Sequence, residues 1–351
     1  MQEELYIRLV KELENQLPWS SKAQTKNLAL LTQGLVFGRK CSIGNLVSEY
    51  PLEGRRESLE NRLRRFLSNS QVGWKRHYSP LVSNLLSGWT DKEINLVMDR
   101  TDMGQERSIL MLGLAFKHRT IPLNWRVLEF GGTGEEIQKK LLGEVAGYIP
   151  KGKRVMFYGD SEFRAVGLQI YCREKGWGWQ VGVKSDTLFR TENEEWKPLK
   201  TLMVEKGKRR YVHNLTLTKS SSLKNVHLIV DWTHDWKTPR YIICHQETGS
   251  RSWRRGRKRY WIEPTFRDWK SYGFDLEASH MTSFERFERL LLGMSTATLW
   301  LLCLGHWLEN TGRHTWLTAT HRRDYSLFRL GRDYAQRSLV RGWELPIRFQ
   351  P

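Results

Sequence analysis

The chain has 351 residues, and its 57 Lys and Arg against 38 Asp and Glu give a formal net charge of +19 and a pI near 9.9. That length can bury a substantial core and suggests two or three domains, while the charge lies outside the usual balance of a metabolic enzyme and points to a polyanionic partner. Nucleic acid is favoured over an anionic membrane, because neutralised phosphates release condensed counterions.

Residues 1 to about 90 read as helical. The opening MQEELYIRLVKELENQL is acidic and amphipathic, with no basic stretch leading into an apolar run. No signal peptide is therefore expected, and the protein is expected to stay in the cytosol. Two further apolar stripes break at Gly38 and around Gly44. A third, SLENRLRRFLSN, puts Leu59, Leu63 and Phe66 on one side with Arg62, Arg64 and Arg65 beside them. Short helices with a basic face suit a DNA-binding bundle of the helix-turn-helix kind; a packing domain with solvated arginines is the alternative.

The pattern changes at residue 93. EINLVMDRTD and the two apolar runs of RSILMLGLAFKHRTIPLNWRVLEF read as a three-stranded meander. GEEIQKKLLGEVAGYI reads as a helix, KRVMFYGD as a strand ending in an acid, SEFRAVGLQIYCREKG as a helix and WGWQVGVKS as a strand. Strand, strand, strand, helix, strand, helix, strand is the order of the ribonuclease H-like fold, a mixed α/β sheet flanked by helices. Residues 185–250 alternate in the β manner between polar turns and read as a β-rich insertion. The expected organisation is a helical DNA-binding domain over 1–90, a catalytic domain from 91–184 and 251–310, the insertion between them, and a basic segment over 311–351. That last segment lies against DNA or a second subunit, or is simply solvated. Within 289–305, RLLLGMSTATLWLLCLG is shorter than the roughly 20 residues of a membrane span and carries Ser and Thr, so it reads as a buried core helix. Cys41, Cys172, Cys244 and Cys303 are scattered, as befits reduced, buried thiols. The 16 Trp offer flat faces that can stack on bases, although most must serve packing.

Three acids emerge from this order: Asp99 at the end of the first strand, Asp160 at the end of the fourth and Glu263 near a helix start. Carboxylates on adjacent strand ends converge, and a third from a following helix completes hard oxygen ligation for two Mg²⁺ or Mn²⁺ ions, the arrangement that drives in-line phosphoryl displacement. Each has a plainer reading; Asp160 in GDSEF also fits a helix cap. Asp102 is a second acid that could orient a metal-bound water or satisfy turn amides. His118 and His280 show no metal-ligand spacing, with His280 near the site only because it follows the Glu263 helix. Pro264 is tolerated in a first helical turn, so the helix is expected to begin near Glu263, with Arg259 approaching by a loop. Positions 259, 263, 266 and 270 then fall on one face at about 100° per residue. Arg267 lies near this face, as a DNA contact or a solvated charge.

LVMDRTDMG at 96–104, FYGDSEF at 157–163 and the stretch with Arg259, Glu263 and Lys270 resemble the three signature regions of DDE transposases of the insertion sequence 4 family. The third region there runs Tyr, two residues, Arg, three residues, Glu, six residues, Lys; the Arg, Glu and Lys spacing is kept here, and Gly256 stands at the tyrosine position. The resemblance covers about residues 25–310. It implies an enzyme that binds terminal inverted repeats, cuts DNA by metal-dependent hydrolysis and joins the 3′ ends to a target. It further implies Asp99, Asp160 and Glu263 as ligands of two Mg²⁺ or Mn²⁺ ions, and Arg259 and Lys270 as phosphate contacts. A dimer on paired double-stranded DNA ends and a bacterial, nucleoid-associated location in the cytoplasm, with no membrane partner, follow from the same source. A tryptophan of such an insertion can stack on a flipped base, which makes Trp196, Trp232 and Trp236 candidates beside their packing reading. A ribonuclease H-like nuclease or resolvase, or a non-catalytic DNA-binding protein derived from a transposase, is the alternative.

Overall fold

The computed structural model describes residues 2–38, 40–192, 194–319 and 325–351. Part of the basic C-terminal stretch, residues 320–324, therefore lies outside the described residues. Six helices come first: α1 (Gln2–Gln16), α2 (Lys22–Phe37), α3 (Ile43–Ser48), α4 (Arg56–Ser68), α5 (Trp74–His77) and α6 (Ser79–Ser87). Ser21 starts α2 with a capping box, its hydroxyl accepting from the Gln24 amide while the Gln24 side chain accepts from the Ser21 amide. Leu63 and Phe66 of α4 are buried as the apolar stripe requires.

The meander follows as β1 (Glu93–Met103), β2 (Arg107–Phe116) and β3 (Arg119–Glu129). Lys117 and His118 turn the second hairpin with positive φ at both positions, the backbone that a two-residue loop between twisted strands needs. Then come α7 (Glu135–Ala146), β4 (Arg154–Gly159), α8 (Val166–Glu174) and β5 (Gly178–Val183). The second of these helices is shorter than expected. A 3₁₀ turn over Ser161–Phe163 precedes α8, and the chain bends through Arg164 and Ala165 between them.

β6 (Leu188–Arg190), β7 (Lys197–Pro198), β8 (Arg209–Leu217), β9 (Leu223–Asp231) and β10 (Arg240–Cys244) make up the β-rich stretch. They extend the central sheet, because β10 pairs antiparallel with β5. The result is one ten-stranded sheet in the order β3-β2-β1-β4-β5-β10-β9-β8-β6-β7. Its first five strands, an antiparallel meander followed by β4 and β5 running parallel to β1, have the ribonuclease H-like topology.

After the sheet the chain is helical: α9 (Ser250–Gly256), α10 (Ile262–Arg267), α11 (Phe284–Asn310) and α12 (Leu327–Arg341). By length and composition α11 could cross a membrane, but 89% of its apolar window is buried inside the fold. It packs against β3, α2, α4 and α12. The crossing with α12 is close at two glycines: a Cβ at Gly305 would lie 2.1 Å from the Leu327 carbonyl oxygen, and one at Gly331 2.1 Å from that of Leu301. Arg289 of α11 also donates to the Leu67 and Val72 carbonyls. The N-terminal helices thus share one continuous apolar core with the sheet. All four cysteines are buried free thiols.

Candidate active site

β1 and β4 run parallel, with Leu96 beside Phe157 and Val97 beside Tyr158. Carried two residues past the last paired positions, this register would set Asp99 level with Asp160, which follows directly on the end of β4. Asp99 is thus set by where β4 ends and not by where β1 ends: β1 continues to Met103 along β2, so the expected strand-end position of Asp99 is corrected to mid-strand. The Asp99 carboxylate accepts from the Arg100 amide at 2.8 Å. Its pKa is pushed up to about 7, first by burial, and also by the negative charges of Asp160 and Glu263; the Arg100 amide and the Arg259 guanidinium oppose the rise. Asp160 and Glu263 therefore both lie within electrostatic reach of Asp99.

Asp160 both caps and faces the site. One carboxylate oxygen accepts from the Glu162 amide at 2.8 Å, and the other is 4.0 Å from Arg259 Nη1. Burial works against the charge of Arg259, but Tyr260, Asp99 and Asp160 hold its pKa above the ordinary value. Arg259 reaches this place from a 3₁₀ helix, Arg257–Trp261, and not from a loop. α9, that helix, α10 and a π turn over Asp268–Tyr272 form one helical path. Its changes of pitch undo the single face expected for 259, 263, 266 and 270: Glu263 is exposed, whereas Phe266 is buried. Glu263 stands in the first turn of α10, beside Pro264, as the proline suggested. At the end of the path the Lys270 ammonium donates to the Asp102 carbonyl, so Lys270 is drawn onto β1 while Arg267 is left exposed on α10.

No turn amide bonds the Asp102 carboxylate among the described residues; one of its oxygens is held by side chains instead. It accepts from the Arg100 guanidinium and, at 2.7 Å, from the Ser108 hydroxyl. Glu162 was not singled out from the sequence. It accepts from Arg100 Nε at 3.0 Å and from the Thr133 amide and hydroxyl at 2.8 and 2.7 Å, bracing β1 against the 3₁₀ turn after Asp160. His118 packs its ring 4.7 Å from that of Trp261, and His280 is exposed. Gly256 has a local reason: a Cβ there would come within 2.4 Å of Gln180 Oε1.

A cleft of about 1450 Å³ runs from Asp160 over Gly182 to the strands of the insertion. Eight Lys and Arg but only three Asp line it, a surface suited to a polyanion. Trp236 is on its wall; Trp232 and Trp196 are not. Trp232 is half-buried and donates to the Trp236 carbonyl at 3.0 Å, while Trp196 packs with Arg190. Arg209, Arg240 and Trp253 also line the cleft and were missed in the sequence, where the one signal for the two arginines is a charge at a strand end and Trp253 of α9 has none. Among the N-terminal arginines, Arg62 is committed to Asn27, 2.6 Å away, and to Tyr6. Arg64 pairs with Glu60 at 3.0 Å, and Arg65 is exposed.

The donors offered by Asp99, Asp160 and Glu263 are all carboxylate oxygens, which fit Mg²⁺ or Mn²⁺ better than softer metals. The raised pKa of Asp99 marks negative charge that a cation would relieve. Among the described residues, however, no three His, Cys, Asp or Glu are drawn together as a closed metal site. One oxygen of Asp160 is engaged by the Glu162 amide, and Glu263 is exposed, so the three acids do not form a closed site.

Residues 135–300 match the family model described as the transposase DDE domain. That segment contains Asp160 and Glu263 and begins after the strand of Asp99. No curated protein matches the chain significantly. Among solved structures, a cryo-EM structure of a piggyBac transposase synaptic complex with hairpin DNA is similar at a TM-score of 0.47 and 8% identity, over 94% of this chain and 76% of that one. The family match, falling on the segment that carries two of the three acids, supports a DDE transposase.

Proposed function

We propose that this chain is a cut-and-paste transposase of the insertion sequence 4 type, which binds the terminal inverted repeats of its element, nicks them and joins the 3′ ends to target DNA. The observation that carries the reading is the β1–β4 register, which sets Asp99 level with Asp160 while the charge of Glu263 acts on the same carboxyl. Two divalent ions held by these acids would activate the attacking oxygen and stabilise the leaving one. Asp99 from β1, Asp160 from the end of β4 and Glu263 from α10 would supply the ligand oxygens. Arg259 steadies the acids before DNA arrives and meets a phosphate beside the scissile bond afterwards. The basic cleft holds the strand, so that the phosphodiester is presented at Asp160 in a fixed orientation. Arg64, Arg65 and Arg267 are exposed charges placed to meet flanking duplex. In this reading the active species is a dimer on paired ends, working in the cytoplasm on the bacterial nucleoid.

The test uses the purified full-length chain, Mn²⁺ and labelled duplexes taken from inverted repeats flanking the gene, with every cut mapped. Cleavage at the repeat boundary and strand transfer into a plasmid are expected from the wild type, and loss of both from Glu263→Gln. Nicking that survived this change undiminished would remove Glu263 from the chemistry and the transposase reading with it.

A further inference from the structure

Asp231 is 1% exposed and lies behind the wall of the basic cleft, held by Arg209 and Arg240, which do line it. It ends β9 and stands directly opposite Arg209, which opens β8, and Arg240, which opens β10. Directly opposed residues of antiparallel strands project to one face, so the three side chains form a row, Arg240, Asp231, Arg209. One Asp231 oxygen accepts from Arg209 Nε at 2.9 Å and the other from Arg240 Nη2 at 2.8 Å. Each guanidinium also lies over an indole: Arg209 is 3.4 Å from the ring centre of Trp253, and Arg240 covers Trp236. Two cations against one acid leave net positive charge on the row. A guanidinium has five N–H donors, and Arg209 spends only Nε among the described residues.

We propose that Arg209 and Arg240 form a two-phosphate clamp for a DNA strand leaving the catalytic acids, and that Asp231 is the positioning residue that holds both forks toward the cleft. The stacked faces of Trp236 and Trp253 serve guanidinium groups, not nucleobases, so the clamp grips backbone irrespective of sequence. The choice of DNA as ligand rests on the transposase reading; the row itself does not.

The test is the affinity of the full-length protein, in EDTA, for a fluorescent oligothymidylate of about 20 nucleotides and for its abasic counterpart, measured across a salt series. Arg209→Gln and Arg240→Gln should each lower the slope of log affinity against log salt by roughly 0.7 and weaken binding about tenfold. Asp231→Asn is the decisive variant. Removing a negative charge strengthens binding on charge balance alone, whereas loss of positioning weakens it, again by about tenfold. The abasic strand should bind as tightly as the parent. Should Asp231→Asn fail to melt cooperatively, Arg209→Lys carries the test, since this side chain is 33% exposed and the change keeps the charge but loses the fork. Equal or tighter binding by the folded Asp231→Asn variant, or by Arg209→Lys in its place, overturns the clamp, as does a preference for intact over abasic DNA. Altered salt slopes in a chain that cuts no candidate end would keep the clamp and remove the transposase reading. Normal cutting with unaltered slopes would do the reverse.

Discussion

Replacing Asp99 with Asn should make the metal-free protein more stable while abolishing its cutting of DNA. Asp99 titrates at about 7 in the fold against 3.8 in a free side chain, mainly through burial and with the help of Asp160 and Glu263. Below about pH 4 the carboxyl is neutral in both folded and unfolded chains and contributes no difference. As pH rises from there to about 7, the unfolded chain ionises it more readily, so folded stability falls; above that the full penalty is present. Roughly three units at 1.36 kcal/mol each put it at up to about 4 kcal/mol. Asn keeps an oxygen for the Arg100 amide, so the substitution removes the charge and little else. Urea unfolding in EDTA at about pH 3.5 and about pH 8, which bracket the window, should show the variant close to wild type at the first and clearly more stable at the second. Adding Mg²⁺ at pH 8 should stabilise wild type more than the variant, because the ion relieves the repulsion that Asn has already removed. A variant no more stable than wild type at pH 8 in EDTA would refute the idea that these acids are held together against their own charge.

Asp102→Asn should cost less than about tenfold in nicking, because one oxygen of its carboxylate is tied to Arg100 and Ser108; a loss near that of Glu263→Gln would place it in the chemistry. Arg119 Nε lies 2.7 Å from Asp268, a largely buried pair that ties β3 to the π turn. Arg119→Ala should cost about 3 kcal/mol in urea unfolding, much of it from leaving Asp268 buried and unpaired. Tyr260→Phe removes the hydroxyl that accepts from Arg240 but keeps the ring beneath Arg259. It should lower stability by about 1.5–3 kcal/mol, the range for a hydrogen bond to a charged group, and reduce nicking more than DNA binding.

What could be read in the sequence was whatever chain-local pattern encodes. Apolar alternation and helical spacing gave the order of strands and helices through β5, and that order placed Asp99 and Asp160 on neighbouring strands. Pro264 marked the start of α10 because a first helical turn needs no N–H from it. The neighbour of β10 was not encoded in this way, since alternation identifies a strand without naming its partner. Arg209, Asp231 and Arg240 were invisible as a row for the same reason. Arg62 illustrates a different limit: an arginine at the edge of an apolar stripe reads the same whether it meets solvent or, as here, Asn27. The 3₁₀ and π segments around α10 escaped because periodicity presumes one pitch throughout.

The pairing of β10 with β5 makes the insertion an extension of the catalytic sheet, and polar contacts cross the same seam. Asp160 faces Arg259 at 4.0 Å, the Arg259 guanidinium lies 4.4 Å from the ring centre of Tyr260, Arg240 donates to the Tyr260 hydroxyl, and Asp231 holds Arg240. Tyr260, Asp99 and Asp160 hold the Arg259 pKa up, whereas burial, with Arg259 nearby, brings that of Arg240 below its ordinary value despite Tyr260 and Asp231. Arg240 and Arg259 thus share Tyr260 as a common neighbour, and Arg259 in turn faces Asp160. The cleft and the acids are in this way joined by one series of polar contacts. That gives a physical reason for strands so distant in sequence to be built into the sheet that bears the acids.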